Sequence, residues 1–158
     1  MRSGSIKRVQ AHYEALAPHV EALAALFYAR LFAEHPEVQS LFKTDPQRQS
    51  AHLAAALALV VRNLDRIEML EGPLKQLGAM HVDFGARPEH YPIVCRLIVE
   101  TIAEVSGESL TPELRADWTD AMSTIAAMML RGASERVLNT AESLSPTITP
   151  KTRWFVKR

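Results

Sequence analysis

Apolar residues recur at spacings of three and four along almost the whole 158-residue chain, and prolines and glycines break that rhythm at intervals. No segment sustains period-two alternation, and no Asn-Gly or Asp-Gly hairpin signal occurs. The chain is therefore expected to be all-α, without internal repeats, and long enough to bury a sizeable core in one domain. Ile6, Val9, Tyr13 and Leu16 predict a first helix capped by Ser5, with Pro18 at the corner that follows. Residues 20–34 predict a second helix, with Leu23, Leu26, Phe27 and Leu31 inward and Tyr28 partly so, stopped by His35-Pro36. Residues 36–42 read as a short turn with helical character, 43–47 as a polar loop, and 47–64 as a helix rich in Ala and Leu. Residues 63–72 read as a linker. A long helix over 89–105 places Val94, Leu97, Ile98 and Ile102 on its inner stripe and ends at Ser106-Gly107. Thr111 caps a last helix that Pro112 opens, and that helix includes Leu114, Trp118, Met122, Ile125, Met129 and Val137.

Charge and cysteine content narrow the function classes. Lys plus Arg and Asp plus Glu are 18 each, so no global field draws the chain to nucleic acid or an anionic membrane. Cys95 is the only cysteine, which excludes an intramolecular disulfide and fits a cytoplasmic location. The first 20 residues mix charged and apolar positions and lack a signal-peptide core. No apolar run reaches the length of a transmembrane segment; residues 53–61 are the longest candidate. The domain is expected over residues 1–143. Residues 144–158 contain Pro146 and Pro150, which forbid a continuous helix, and end in a basic, aromatic tip with Trp154 and Phe155. The tail reads as a flexible segment folding back on the domain; a docking or membrane-surface peptide is the sharper alternative, thinly supported by four cations and two aromatics.

One stretch stands apart. Behind Pro73, a short helix carries Leu74, Leu77 and His81 on one face and ends near Gly85, and Pro88 and Pro92 then lead into the long helix. A histidine on an apolar stripe is either a core residue bonded to a backbone carbonyl or a ligand. Periodicity alone leaves both open. The motif Leu77-Gly78-x-x-His81, then nine residues, then Tyr91-Pro92-x-Val94 resembles the proximal heme segment of bacterial globins. A second match lies upstream in Leu26-Phe27-Tyr28-Ala29-Arg30-Leu31-Phe32-Ala33-Glu34-His35-Pro36-Glu37-Val38-Gln39-Ser40-Leu41-Phe42. The two segments keep the family's separation, and the resemblance covers roughly residues 5 to 137. It is closest to the single-domain hemoglobins and the globin half of flavohemoglobins.

The resemblance implies a three-over-three helical sandwich around heme b. It makes His81 the proximal iron ligand, with its Nδ1–H donating to a carbonyl near Leu77, and it places Leu74, Leu77, Phe84, Ile93 and Val94 on the proximal side. Tyr91 matches the family's proximal tyrosine. Phe42 aligns with the phenylalanine stacked on the porphyrin, and Tyr28 with the tyrosine directed at bound oxygen. Plain core packing, or an ordinary buried tyrosine, is the bland alternative for each. Gln49 falls where the distal helix presents its polar residue, with Leu53 on the same face. His52 is the rival, because the preceding loop varies among relatives.

The implied function is binding of oxygen, carbon monoxide and nitric oxide. Tyr28 and Gln49 are both hydrogen-bond donors, each worth about 1.5–3 kcal/mol to a charged acceptor, which predicts slow oxygen release. That suits nitric oxide dioxygenation better than delivery. A chain of 158 residues leaves no room for a flavin reductase region, so an external reductase is expected. Counted from Trp118, the family's proximal glutamate falls at or near Ala133, and Glu135 is badly angled to replace it, so peroxidase-like chemistry is expected to be weak. Two other readings stay open: a heme-based gas or redox sensor acting through a partner, and a globin-shaped interaction module without heme. His12, His19, His35 and His90 show no metal-ligand spacing and read as mostly surface residues, and Cys95 as a small core residue.

Overall fold

The computed structural model describes residues 1–144, and it contains six α-helices and no strand among them. They are α1 (Ser3–Leu16), α2 (Val20–Glu34), α3 (Pro46–Arg62), α4 (Glu71–Asp83), α5 (His90–Ser106) and α6 (Pro112–Leu144). Short 3-10 turns over Ala17–His19, Pro36–Leu41, Leu64–Leu70 and Gly107–Ser109 join them. The tail with Trp154 and Phe155 lies outside the described residues.

Local chemistry explains most boundaries. The Asp45 carboxylate accepts from the Arg48 N–H at 3.3 Å and Pro46 takes the first turn of α3, so that helix starts one residue before the predicted Gln47. The Thr111 hydroxyl accepts from the Leu114 N–H at 3.2 Å and caps α6 as expected. Gly107, at φ 56° and ψ −133°, takes a positive-φ conformation that favours glycine, and α5 ends there. Ser5 is not a cap. Helix α1 begins two residues earlier behind an extended Arg2, and the Ser5 hydroxyl instead accepts from Arg8 Nη2 at 3.3 Å. The predicted linker is mostly 3-10 helix, and α4 starts at Glu71, with Pro73 still within the first turn where no partner for its nitrogen is needed. Helix α6 runs seven residues past Val137, which is exposed.

The core is one apolar cluster fed by every helix. Val9, Phe27, Val61, Leu97, Ile102 and Trp118 are its most deeply buried large members. Its polar intruders are paired: the Thr101 hydroxyl donates to the Leu97 carbonyl at 2.7 Å, and the buried Asp117 accepts from Arg8 Nε at 2.6 Å. The Arg8 hydrogen bond holds the Asp117 carboxyl below its usual range. His12 is not a surface residue; its Nδ1 accepts from the Trp118 indole at 3.0 Å, and burial lowers its pKa. Cys95 is half-buried, its thiol 3.6 Å from the Met122 carbonyl and pushed up by burial.

One stretch of Ser3–Glu34 is long and apolar enough, by length and composition alone, to cross a membrane, which corrects the expectation that no segment comes near. Pro18 and the 3-10 turn divide it, and Val9, Tyr13, Leu16, Leu23, Phe27 and Leu31 point into the core. Those six side chains pack in the core.

Removing a core side chain from a cluster this closed should leave a cavity. Leu97→Ala should lower the free energy of unfolding by about 2–5 kcal/mol in urea titration, whereas the exposed Leu138→Ala should change it by less than about 0.5 kcal/mol.

Candidate functional site

Helix α2 has two kinds of aromatic position. Phe27 is buried in the core, while the neighbouring Tyr28 and Phe32, one turn apart, lie half-buried at its edge. Phe42, just past the 3-10 turn Pro36–Leu41, joins them: its ring centre is 5.4 Å from Tyr28 and 5.3 Å from Phe32, both edge-on. The Tyr28 and Phe32 rings are 5.9 Å apart, closing a three-ring cluster. Sequence reasoning missed Phe32; its spacing of four from Tyr28 on one helix was the available signal.

The polar member of this group comes from α3. Gln49 Nε2 donates to the Tyr28 hydroxyl oxygen at 3.1 Å. The amide thereby occupies the acceptor side of the phenol and leaves its proton for another acceptor. Burial raises the Tyr28 pKa above its ordinary value and the Gln49 hydrogen bond pulls it back in part, so the group stays a neutral donor. Leu53, one turn on, is half-buried against the core. His52 is exposed. The helix register therefore turns Gln49, not His52, toward Tyr28.

On α4, His81 Nδ1 lies 2.8 Å from the Leu77 carbonyl oxygen. A carbonyl only accepts, so Nδ1 carries the proton and Nε2 keeps its lone pair. Leu77 is half-buried below it, and Ile93 and Val94 of α5 are half-buried against the same cluster. Phe84 meets the His81 ring edge-on at 6.3 Å, but it is 58% exposed rather than part of a closed wall. Tyr91 is buried, and its hydroxyl has no hydrogen-bond partner among the described residues. Burial alone pushes its pKa up. Glu135 is taken by Lys75 at 2.6 Å, and the buried Ala133 offers no carboxylate.

These positions share a property that plain core residues lack. Tyr28, Phe32, Phe42, Leu53, Leu77, Ile93 and Val94 are apolar or aromatic and pack against the core, yet each remains partly open. A flat apolar group with one open axial position would complete such an edge, and the unshared Nε2 of His81 is a suitable nitrogen ligand.

The globin family model matches residues 25–129, more than half of the chain. The chain belongs to the globin family. A flavohemoprotein of Bacillus subtilis is 32% identical over 125 residues, 77% of this chain and 31% of that protein. The globin thus spans about a third of the length of the curated relatives it matches. Among solved structures, an engineered carbene transferase from a candidate nitric oxide dioxygenase of Rhodothermus marinus superposes with a TM-score of 0.79 at 28% identity, covering 92% of this chain and 99% of that one. A bacterial globin from Campylobacter jejuni gives 0.77 at 23% identity, covering 85% and 97%, and so supports the fold.

The buried Tyr91 hydroxyl has no partner among the described residues, so Tyr91→Phe should leave the protein as stable or more stable, by up to about 1–3 kcal/mol in urea titration. A loss of stability instead would show that the hydroxyl has a partner.

Proposed function

We propose that this globin binds heme b through His81 and uses it to bind oxygen, carbon monoxide and nitric oxide. The observation that carries the reading is the His81 imidazole, tied to the Leu77 carbonyl at 2.8 Å through Nδ1 so that Nε2 is free to ligate iron. Phe42, Leu53, Leu77, Phe84, Tyr91 and Val94 would hold the porphyrin between them. When bound, heme supplies the ferrous iron that takes up diatomic gases and passes electron density to them.

The chain's own residues then select among gases. Oxygen gains negative charge on its outer atom and carbon monoxide gains little. The Tyr28 proton, freed by Gln49, is placed to hydrogen-bond a charged acceptor. Such bonds are worth about 1.5–3 kcal/mol, so oxygen should be retained and carbon monoxide should not feel the difference. Retained oxygen suits a site where nitric oxide, oxygen and an electron combine to nitrate. We assign nitric oxide dioxygenation on that basis, with the electron coming from a flavin reductase outside these 158 residues. The flavohemoprotein relatives at about a third identity support this assignment.

Absorption spectra test the first step. Purified protein with added heme should show a Soret band that His81→Ala abolishes; a band surviving that change would overturn the assignment of His81. Ferrous protein without gas should be five-coordinate, because His52 is exposed and Gln49 is not an iron ligand. Low-spin six-coordinate bands that vanish in His52→Ala would reverse the distal assignment.

Stopped-flow kinetics test the second step. Tyr28→Phe should speed oxygen dissociation roughly tenfold or more, since about 1.4 kcal/mol is one decade, and should leave carbon monoxide nearly unchanged. Gln49→Leu should act less, because Gln49 works through Tyr28, and the double variant should resemble Tyr28→Phe alone. The wild-type oxygen rate should be flat across the neutral range and should change only at a pH higher than that at which a free tyrosine ionises, because burial raises the phenol's pKa. Equal effects on both gases would mean altered access instead.

A further inference from the structure

Helices α4 and α6 meet backbone to backbone. A Cβ added to Gly78 would sit 2.9 Å from the Met129 Cα and would overlap the Met129 carbonyl. A Cβ added to Gly132 would sit 2.5 Å from the Lys75 Cα and would overlap the Lys75 carbonyl. Ordinary contact for a Cβ begins at 3.4 Å. The contact is reciprocal: each helix offers a glycine and, three residues before it, the backbone that the other helix's glycine receives. The Cα–H in place of each missing Cβ points at the opposing carbonyl, an arrangement that recurs where helices approach closely.

Neither glycine serves a turn. The glycines at positive φ are Gly85 and Gly107, and a glycine inside a helix weakens it. Two helix-weakening residues therefore stand where they close this crossing. The obstacle to a larger residue is backbone on both sides, so no rotamer change relieves it and a whole helix must move. Exposed ion pairs flank the crossing, Glu71–Arg131 at 3.2 Å and Asp83–Arg136 at 3.1 Å, but pairs of that kind hold little.

The carbonyl that orients His81 belongs to Leu77, which lies between Lys75 and Gly78. We propose that Gly78 and Gly132 form a backbone notch that sets the position of the His81 imidazole relative to α6. Both are positioning residues. The proposal rests on the reading of His81 as the iron ligand. Adding a methyl at either glycine lifts α4, carries the Leu77 carbonyl with it, and changes the angle and length at which Nε2 meets iron.

The test compares Gly78→Ala and Gly132→Ala with Gly72→Ala, whose Cβ would have open space. Resonance Raman spectra of the heme-loaded ferrous protein without gas read the iron–histidine stretching band. Both notch variants should shift that band and release heme several-fold faster to a scavenger, while Gly72→Ala should coincide with wild type. An unshifted band in both notch variants would overturn the proposal. If neither variant accumulates, amide exchange in the wild-type apoprotein decides. Protection over residues 75–83 in step with α6 supports the notch, and free exchange of α4 beside a protected α6 overturns it. A Soret band retained in His81→Ala would sink the ligand reading by itself, with the exchange result still judging the notch.

Discussion

The closed crossing of α4 and α6 is the constraint on which the proximal half of the molecule depends. Helix α4 is short, and its buried residues are only Leu74 and Gly78, too little apolar surface to fix its position by burial alone. Its place is set by what it rests on. Helix α6 is held in the core by Trp118, Ala121 and Met122, and tied to α1 by the Trp118–His12 and Asp117–Arg8 hydrogen bonds. The chain of support thus runs from α1 through α6 to α4, and ends at one imidazole.

The distal half is organised differently, by aromatic contact rather than backbone contact. Helix α2 drives Leu23, Phe27 and Leu31 into the core and leaves Tyr28 and Phe32 at its edge. Ion pairs of Arg30 with Glu104, and of Glu34 with Arg96 at 3.2 Å, join α2 to α5 on the solvent side. With α2 placed, Phe42 packs on both edge rings, and the first turns of α3 carry Gln49 to the Tyr28 hydroxyl.

Helix positions were legible because periodicity and caps act over a few residues. His35-Pro36, Ser106-Gly107 and Thr111-Pro112 all mark real boundaries. Asp45-Pro46 was equally local and was overlooked, and Ser5 failed as a cap because the chain before it was already helical. Of the site, the residues on recognisable segments, Tyr28, Phe42 and His81, could be named from sequence. Gln49 was named with His52 as its rival, because the register of α3 depends on how the intervening loop packs; the Gln49–Tyr28 hydrogen bond orients it. Gly78 was visible as a motif residue, but its contact with α6, and Gly132 altogether, were not, because a helical glycine announces no packing role until the second helix is seen against it. Phe84 shows the opposite failure, an aromatic expected on the proximal wall that lies mostly in solvent.

The Tyr91 hydroxyl has no partner among the described residues, and flavohemoglobins set a glutamate beside the proximal histidine and tyrosine at a place that, counted on this sequence, falls at or near Ala133. Ala133 is buried, and a carboxylate placed there would have to give up its hydration. The His81 Nδ1 proton meets the neutral Leu77 carbonyl. A carbonyl acceptor draws less imidazolate character than a carboxylate, so electron donation toward iron is weaker. With His81 as the iron ligand, the push that peroxide cleavage needs would be weak, in line with the weak peroxidase-like chemistry expected from the sequence.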